Sequence, residues 1–271
     1  MVGQYNRLLE QYDDAAHNHM KRPQGYMTQD TFSRALSEFE QFGIKKVYLH
    51  FQGEPFLNPQ TPSFAQQLKK RGIFVGVFTN GMAFTPDNIL EVAAAEIDLI
   101  RFSIDGASAQ TYEKNRVGGR FEKVMDALRA VVRAHQGKKT RIEWQFVVLR
   151  NNEHEIERAR GMAKDLGVHL HVKGFRETDA RLRPLDVRYH AKKLCKPCTD
   201  IYQQVGVYWN GDVVPCCYDT DAFEVMGNIM KNSLEKIWAS YRYQRFRQNV
   251  KDAKRFPDQE PDVCRSCLRW E

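Results

Sequence analysis

The chain has 271 residues, of which 42% are hydrophobic and 28% are charged, and this length and composition suit one large or two small globular domains rather than a disordered chain. No stretch reaches the roughly 18 consecutive apolar residues of a membrane helix, and the first residues lack the apolar core of a secretory signal, so we predict a soluble, cytoplasmic protein. The 41 basic and 34 acidic residues give a net charge of +7, which is compatible with nucleic acid, an acidic peptide or an anionic cofactor and selects none of them.

Helix-like and strand-like segments alternate from Thr28 onward. Thr28 is a suitable N-cap for a helix whose apolar residues Phe32, Leu36 and Phe39 recur at helical spacing, and a short buried strand follows at 47–51. Further along the chain we predict, in order, a helix around Phe64 and Leu68, strand 73–78, helix 87–95, strand 99–104, helix 121–131, strand 142–149, a helix ending at Gly167 and strand 168–172. Strands that alternate with helices in this way predict an α/β fold with a parallel sheet.

Small, polar or acidic residues follow the predicted strands. The loops concerned are Gln-Gly-Glu-Pro at 52–55, Thr-Asn-Gly at 79–81, Ser-Ile-Asp-Gly at 103–106 and Arg-Asn-Asn at 150–152. Each of these is a common turn sequence when taken alone. The carboxyl ends of parallel strands lie along one edge of the sheet, however, and functional loops of α/β proteins gather there. The four loops together therefore predict a site at this edge.

The alternation stops after Lys173, and residues 174–194 are basic and irregular, which is typical of a linker. We place a boundary near residue 180. The resulting organisation is an atypical N-terminal segment over 1–27, an α/β domain over 28–180 and a cysteine-rich domain over 181–271.

All six cysteines lie between Cys195 and Cys267. Disulfide frameworks belong mainly to small secreted domains, so metal ligation by thiolates is the better interpretation. The pair Asn-Gly at 210–211 predicts a tight β-hairpin, which would bring Cys198 and Cys216 to the same end, and a short helix at 233–240 is expected to pack on it.

The spacing of Cys264 and Cys267 lets both thiolates reach one metal ion or cluster. Together with Cys198 and Cys216 they would form one site with four thiolates, which suits both zinc and a [4Fe–4S] cluster. Cys195 remains as a substitute ligand, and we expect Cys217 to be a small buried hydrophobic residue.

These features resemble the radical S-adenosylmethionine enzymes that carry a C-terminal SPASM or twitch-type domain, and the resemblance covers roughly residues 17–271. The sequence Gln-Gly-Glu-Pro at 52–55 is similar to the family's Gly-Glu-Pro motif, with Gln in place of the commoner first Gly. Twelve residues separate Cys198 from Gly211 and four separate Gly211 from Cys216, which matches the family's cysteine pattern. The resemblance implies a partial (β/α) barrel that lacks its first strand, followed by a domain with one auxiliary [4Fe–4S] cluster.

The same resemblance implies where a cofactor binds. Gly53 and Glu54 would meet the amino group of S-adenosylmethionine, while Asn80, Ser103 and Asp105 would line the cofactor pocket. The substrate would be a peptide or a small molecule, with a reductase or another enzyme as a partner and no role for a membrane or nucleic acid.

The family binds its radical-generating cluster through a CxxxCxxC motif, whereas no cysteine precedes Cys195 in this sequence. We therefore expect impaired radical chemistry, in either a truncated fragment or a degenerate homologue. A non-catalytic iron–sulfur scaffold or electron relay is the first alternative. A zinc-binding nucleic-acid binder is the second, based on basic runs at 174–193 and 251–255 that contain few aromatic residues.

Overall fold

The computed structural model describes residues 23–51, 53–175, 180–190, 198–253, 255–265 and Cys267. In this part of the chain, residues 45–175 and 180–190 form a first unit, and residues 23–44 together with those from 198 onward form a second unit. The domain boundaries expected at 27/28 and 180/181 stay predictions. None of the described helices combines the length and the apolar character that crossing a bilayer requires.

The predicted helices and strands appear in the predicted order, and the structure adds helices at 109–115, 241–252 and 262–265 and a strand at 227–228 that were not predicted. The helices are α1 Gln29–Gln41, α2 Thr61–Lys69, α3 Pro86–Ala94, α4 Ala109–Asn115, α5 Phe121–Ala134, α6 Ile156–Asp165, α7 Leu234–Trp238, α8 Tyr241–Asp252 and α9 Asp262–Arg265. The strands are β1 Lys46–Tyr48, β2 Phe74–Thr79, β3 Leu99–Ser103, β4 Arg141–Val148, β5 His169–Gly174, β6 Gly206–Val207, β7 Asp212–Val214 and β8 Gly227–Asn228. Short 3-10 turns lie at Pro55–Leu57, Glu153–Glu155, Val187–Tyr189, Asp200–Tyr202 and Pro257–Gln259.

The first unit is built on a parallel sheet with the strand order β1-β2-β3-β4-β5, so the predicted α/β fold is confirmed. Because crossover connections between neighbouring parallel strands are right-handed, strands paired in chain order place their helices on one face of the sheet. The side chains on one face are apolar and fully buried, as Val77, Ile100 and Trp144 illustrate. This burial is the main contribution to the core of the unit.

Helix α1 begins where the sequence predicts, because the Thr28 hydroxyl accepts a hydrogen bond from the Thr31 amide at 3.2 Å. Although it precedes β1 in the chain, the helix belongs to the second unit. Glu38 Oε2 accepts a 2.6 Å hydrogen bond from the Leu234 amide, and Arg34 Nε donates to the Ile229 carbonyl at 2.9 Å. These two bonds join α1 to the segment around α7.

The second unit contains the antiparallel sheet β6-β7-β8. The predicted hairpin is confirmed, with Gly211 at a φ of +86° in its turn. Helix α7 packs on this sheet so closely that a Cβ atom on Gly227 would lie 2.8 Å from Cγ1 of Ile237. Helix α8 was not predicted, although its buried residues Tyr243, Phe246 and Val250 follow helical spacing.

Candidate functional site

The loops after β1 and β2 meet through the side chain of Glu54. Its Oε1 atom accepts hydrogen bonds from the Thr79 hydroxyl at 2.7 Å and from the Phe56 amide at 3.2 Å, while Oε2 accepts from the Asn80 amide at 2.7 Å. Thr79 is the last residue of β2. The structure thus brings together two residues of the predicted site, Glu54 and Asn80, and adds Thr79, which the sequence interpretation had left in a turn.

Burial raises the pKa of Glu54 above its ordinary value, although the bonds from Asn80, Thr79 and Phe56 oppose this shift. A buried carboxylate is stabilised by a cationic partner, because the partner offsets the loss of hydration. Each carboxylate oxygen can accept two hydrogen bonds, and among the described residues Oε2 accepts one. The Glu54 carboxylate can therefore accept a further hydrogen bond, and it fits a ligand that presents an ammonium group.

Gly53, immediately before Glu54, has a φ of +89°, which is the left-handed region. Apart from Gly53 itself and its chain neighbours, no heavy atom of the described residues lies within 4 Å of the position that a Cβ atom would occupy. Glycine is the residue that adopts this backbone conformation at little cost, and it also lets a ligand approach the main chain. The side chain of Asn80, by contrast, accepts a bond from the Met82 amide at 2.9 Å and shapes its own turn.

The predicted residues Ser103 and Asp105 are fully buried at the end of β3. Asp105 Oδ2 pairs with Nε of Arg116 at 2.6 Å and also with Nη2, while Oδ1 accepts from the Val147 amide at 2.7 Å. The Asp105 carboxylate therefore ties the end of β3 to α4 and to β4. No sequence signal pointed to Arg116.

The side chain of Tyr112 lies within electrostatic range of Asp105 and Glu54. It is fully buried, and its hydroxyl has no hydrogen-bond partner among the described residues. Burial raises the pKa of Tyr112 to about 12, a shift to which Asp105, Glu113 and Glu54 add and which Arg116 opposes. The tyrosine hydroxyl is thus a neutral group within electrostatic range of the Glu54 carboxylate.

The four cysteines proposed as ligands lie in the second unit. Cys216 is buried two residues after the end of β7, whereas Cys198, Cys264 and Cys267 are partly buried. Burial raises the pKa of Cys216 to about 12, and the neighbouring Cys217 adds to that shift, as do Cys267 and Cys198. Burial likewise raises the pKa of Cys264 to about 12, with further contributions from the other three thiols. Cys216 and Cys264 are therefore each within electrostatic range of the other three proposed ligands.

Thiols with so high a pKa are protonated at neutral pH, and they ionise when a bound metal centre supplies positive charge. The donor set fits thiolate ligation in that respect. Within the described ranges, no group of three or more His, Cys, Asp or Glu side chains has an arrangement that could hold a single metal ion.

The remaining two cysteines differ from each other. The prediction that Cys217 is a small buried residue was wrong, because its side chain is exposed. After β7 the chain bends at Cys216 and turns at Cys217, and the side chain in the turn faces solvent. Cys195, expected as a substitute ligand, lies outside the described residues.

Comparisons with known proteins agree with this architecture. Residues 11–163 match the family profile described as the radical SAM superfamily, and residues 195–268 match SPASM, described as an iron–sulfur cluster-binding domain. The chain is 25% identical to a tungsten-containing aldehyde ferredoxin oxidoreductase cofactor-modifying protein of Pyrococcus furiosus, over 84% of this chain and 77% of that protein. It is also 24% identical to the PqqA peptide cyclase of Ruegeria pomeroyi, over 88% of this chain and 71% of the cyclase.

A solved structure supports the fold independently. Native anSMEcpe with bound AdoMet superposes with a TM-score of 0.65 at 14% identity, covering 88% of this chain and 78% of that one. The family profile spans more than half of the 271 residues. The chain is therefore a member of the radical SAM superfamily that carries a SPASM iron–sulfur cluster-binding domain.

Proposed function

We propose that Cys198, Cys216, Cys264 and Cys267 hold one auxiliary [4Fe–4S] cluster. The observation that carries this proposal is that Cys198 and Cys264, which are far apart in the chain, pack against the same buried core of the second unit. Four thiolates are the usual ligands of such a cluster, which supplies one-electron chemistry when bound. The match of residues 195–268 to a cluster-binding domain supports the same assignment.

The first unit, in this proposal, binds S-adenosylmethionine at the carboxyl edge of its sheet. The Glu54 carboxylate accepts a hydrogen bond from the ammonium group of the ligand. The Thr79 hydroxyl and the Asn80 amide hold the Glu54 side chain in place. Gly53 leaves the main chain open to the ligand. Ser103 and Asp105 complete the edge from β3, with Asp105 contributing through its bond to Arg116.

The substrate class follows from the relatives. One is named as a cofactor-modifying protein and another as a peptide cyclase. We propose that this chain likewise acts in the modification of a peptide or a small molecule, in company with a reductase or another enzyme.

One feature favours a second candidate function for this polypeptide alone. Residues 1–194 contain no cysteine, whereas cleavage of S-adenosylmethionine in this family depends on a cluster held by a CxxxCxxC motif. The alternative function is an iron–sulfur scaffold or electron relay that binds ligands without radical chemistry. Both functions share the auxiliary cluster.

Two assays on anaerobically reconstituted protein test these proposals. Iron and acid-labile sulfide analysis is expected to give about four of each per chain, and one zinc without sulfide would contradict the cluster. Release of 5′-deoxyadenosine under reducing conditions separates the two functions, since the scaffold predicts none. Sustained release that depends on Glu54 would instead establish an active radical enzyme.

A further inference from the structure

Tyr243 is the third residue of α8, and its side chain is fully buried in the second unit. The Ser240 hydroxyl caps the helix by accepting a bond from the Tyr243 amide at 3.2 Å. The ring of Trp238 lies 5.0 Å from the Tyr243 ring between centroids, and the Arg247 guanidinium lies 4.0 Å from the centroid of each ring. Arg247 is itself anchored, because it donates to the main-chain carbonyls of Ile201 at 3.2 Å and Trp238 at 2.9 Å. These contacts hold the phenol ring in one orientation.

The hydroxyl of Tyr243 is buried, and it has no hydrogen-bond partner among the described residues. The neighbouring Arg247 cannot supply an acceptor, because a guanidinium group carries donors only. The hydroxyl proton of Tyr243 is therefore unpaired in the described part of the chain. Most buried polar groups in proteins are paired, so a buried donor of this kind points to an acceptor other than the described side chains.

A second buried tyrosine of the same unit shows the usual pairing. Tyr208 is 3% exposed, and its hydroxyl donates to the main-chain carbonyl of Asp219. The Asp219 carboxylate in turn accepts bonds from the amides of Phe223 and Glu224, each at 2.8 Å. These polar groups bond to one another close to the cysteine-bearing turn, whereas the Tyr243 hydroxyl takes no part in their network.

The core that surrounds Tyr243 is the same core against which two proposed cluster ligands pack. Cys198 and Cys264 both contact this set of buried residues. Burial raises the pKa of Tyr243, the Arg247 guanidinium opposes the shift and the Cys216 thiol adds to it, so this thiol is within electrostatic range of the hydroxyl. Tyr243 therefore lies in the part of the second unit that carries three of the four proposed ligands.

We propose that the Tyr243 hydroxyl donates a hydrogen bond to a sulfur atom of the auxiliary cluster beside Cys216 and thereby raises the reduction potential of that cluster. The inference rests on the proposed function, because it requires the cluster to be bound. Hydrogen bonds to the sulfurs are one of the means by which a protein sets the potential of an iron–sulfur centre. Because one-electron reduction adds a negative charge, the bond stabilises the reduced form more than the oxidised form.

The reduction potential tests the inference on the full chain after anaerobic reconstitution. The protein is titrated with dithionite, and the reduced cluster is quantified by electron paramagnetic resonance. Tyr243→Phe removes the hydroxyl and keeps the ring, and it is expected to lower the equilibrium constant for one-electron reduction by about tenfold, which corresponds to about 59 mV. Tyr241→Phe is the matched control, because it removes the same group from a residue of α8 that is 74% exposed. The control is expected to change this constant by less than about twofold.

Two further measurements separate a bond to the cluster from a structural role of the tyrosine. Electron–nuclear double resonance in deuterium oxide is expected to show an exchangeable hydrogen coupled to the reduced cluster in the wild type and in Tyr241→Phe. The same coupling is expected to be lost in Tyr243→Phe. Iron and sulfide contents should be equal in all three proteins, since the phenyl ring keeps its contacts with Trp238 and Arg247.

Three results would overturn the inference. They are a reduction constant of Tyr243→Phe within about twofold of the wild-type value, an exchangeable coupling that persists in this variant, or loss of iron from Tyr243→Phe alone, which would assign the tyrosine a structural role. In each case a wild type with about four irons and four sulfides leaves the proposed function standing. A wild-type chain that takes up neither iron nor sulfide would overturn both.

Discussion

The first unit has a sheet whose central strands, β2 to β4, are mostly buried, whereas the strands of the second unit are short. Strands of the first unit have three to eight residues, and most inward side chains of the central strands are fully buried, as Val77 and Phe146 show. The strands of the second unit have two or three residues. Its core includes Val213, Ile229, Leu234 and Ile237, with Cys198 and Cys264 packed against it.

This difference suggests two sources of stability. A large sheet gains its stability from apolar area removed from water. A small unit with little regular structure generally depends on an additional link such as a metal centre. We therefore expect the second unit to depend on its cysteines and the first unit to fold without them.

The largest effect is expected from the cluster itself. Structural metal ligation by thiolates is worth on the order of 10 kcal/mol in small domains. Without iron, backbone amides in residues 198–253 are expected to lose their protection from hydrogen exchange, while those in residues 45–175 keep it. Mass spectrometry of both forms measures the difference. Equal protection of residues 198–253 with and without iron would mean that the unit is stable on its own.

The second effect concerns the first unit. Asp105→Asn leaves the fully buried Arg116 without its countercharge, so the free energy of unfolding should fall by about 3–5 kcal/mol. Asp126→Asn is the matched control, because its partner Arg129 is exposed, and it should cost less than about 1 kcal/mol. Urea unfolding measures both. Similar losses of unfolding free energy in the two variants would show that the buried Asp105–Arg116 pair contributes no more to stability than the exposed Asp126–Arg129 pair.

A smaller effect is expected at the ligand edge. Glu54→Gln removes a charge-assisted hydrogen bond to the ammonium of S-adenosylmethionine, which is worth about 1.5–3 kcal/mol, or about a tenfold to hundredfold weaker dissociation constant. Glu157→Gln on α6 is the control, because Glu157 pairs with Arg160 at the surface. Calorimetric titration of both variants measures the dissociation constants for S-adenosylmethionine. Equal constants in the two variants would show that Glu54 does not bind the ligand.

The pH dependence of binding sharpens the same assignment. Burial raises the pKa of Glu54, so its carboxylate takes up a proton at a higher pH than an exposed glutamate does. Affinity for S-adenosylmethionine should be constant above this pKa and should fall by up to about tenfold per pH unit below it. Titrations over a pH series should show no such slope in Glu54→Gln. A slope that persists in this variant belongs to another group.

The smallest effect on stability is expected from alanine substitutions at two glycines that have open space around them. Gly53→Ala forces a side chain into a φ of +89°, which should cost about 1 kcal/mol of unfolding free energy. Gly161→Ala lies within α6 and should stabilise by about 0.5–1 kcal/mol. The Tm should therefore fall in Gly53→Ala and rise in Gly161→Ala. A shift of both Tm values in the same direction would show that the positive φ at Gly53 does not determine the stability of the Gly53→Ala variant.

The sheet could be predicted from the sequence because buried strands and amphipathic helices have distinct periods. Thr28 as a cap and the turn at Gly211 were also local signals, and the structure has both. Helix α8 was missed because aromatic and charged residues dominate it, and its buried stripe of Tyr243, Phe246 and Val250 becomes apparent only beside its neighbours.

The site could be predicted less completely, since its contacts join distant parts of the chain. Glu54 and Thr79 are 25 residues apart in sequence, and Asp105 and Val147 are 42 apart. The positions of the loops after the predicted strands indicated where the site lies. They did not indicate which side chains pair with each other in the folded protein. The exposure of Cys217 likewise depends on how the chain leaves β7.

The most direct test of the account compares neighbouring cysteines after anaerobic reconstitution. Wild type and Cys217→Ser are predicted to bind about four irons and four sulfides per chain, whereas Cys216→Ser is predicted to lose most of both. Equal iron and sulfide in the two variants, or zinc in place of iron in the wild type, would contradict the assignment of Cys216 and its three partners to an iron–sulfur cluster.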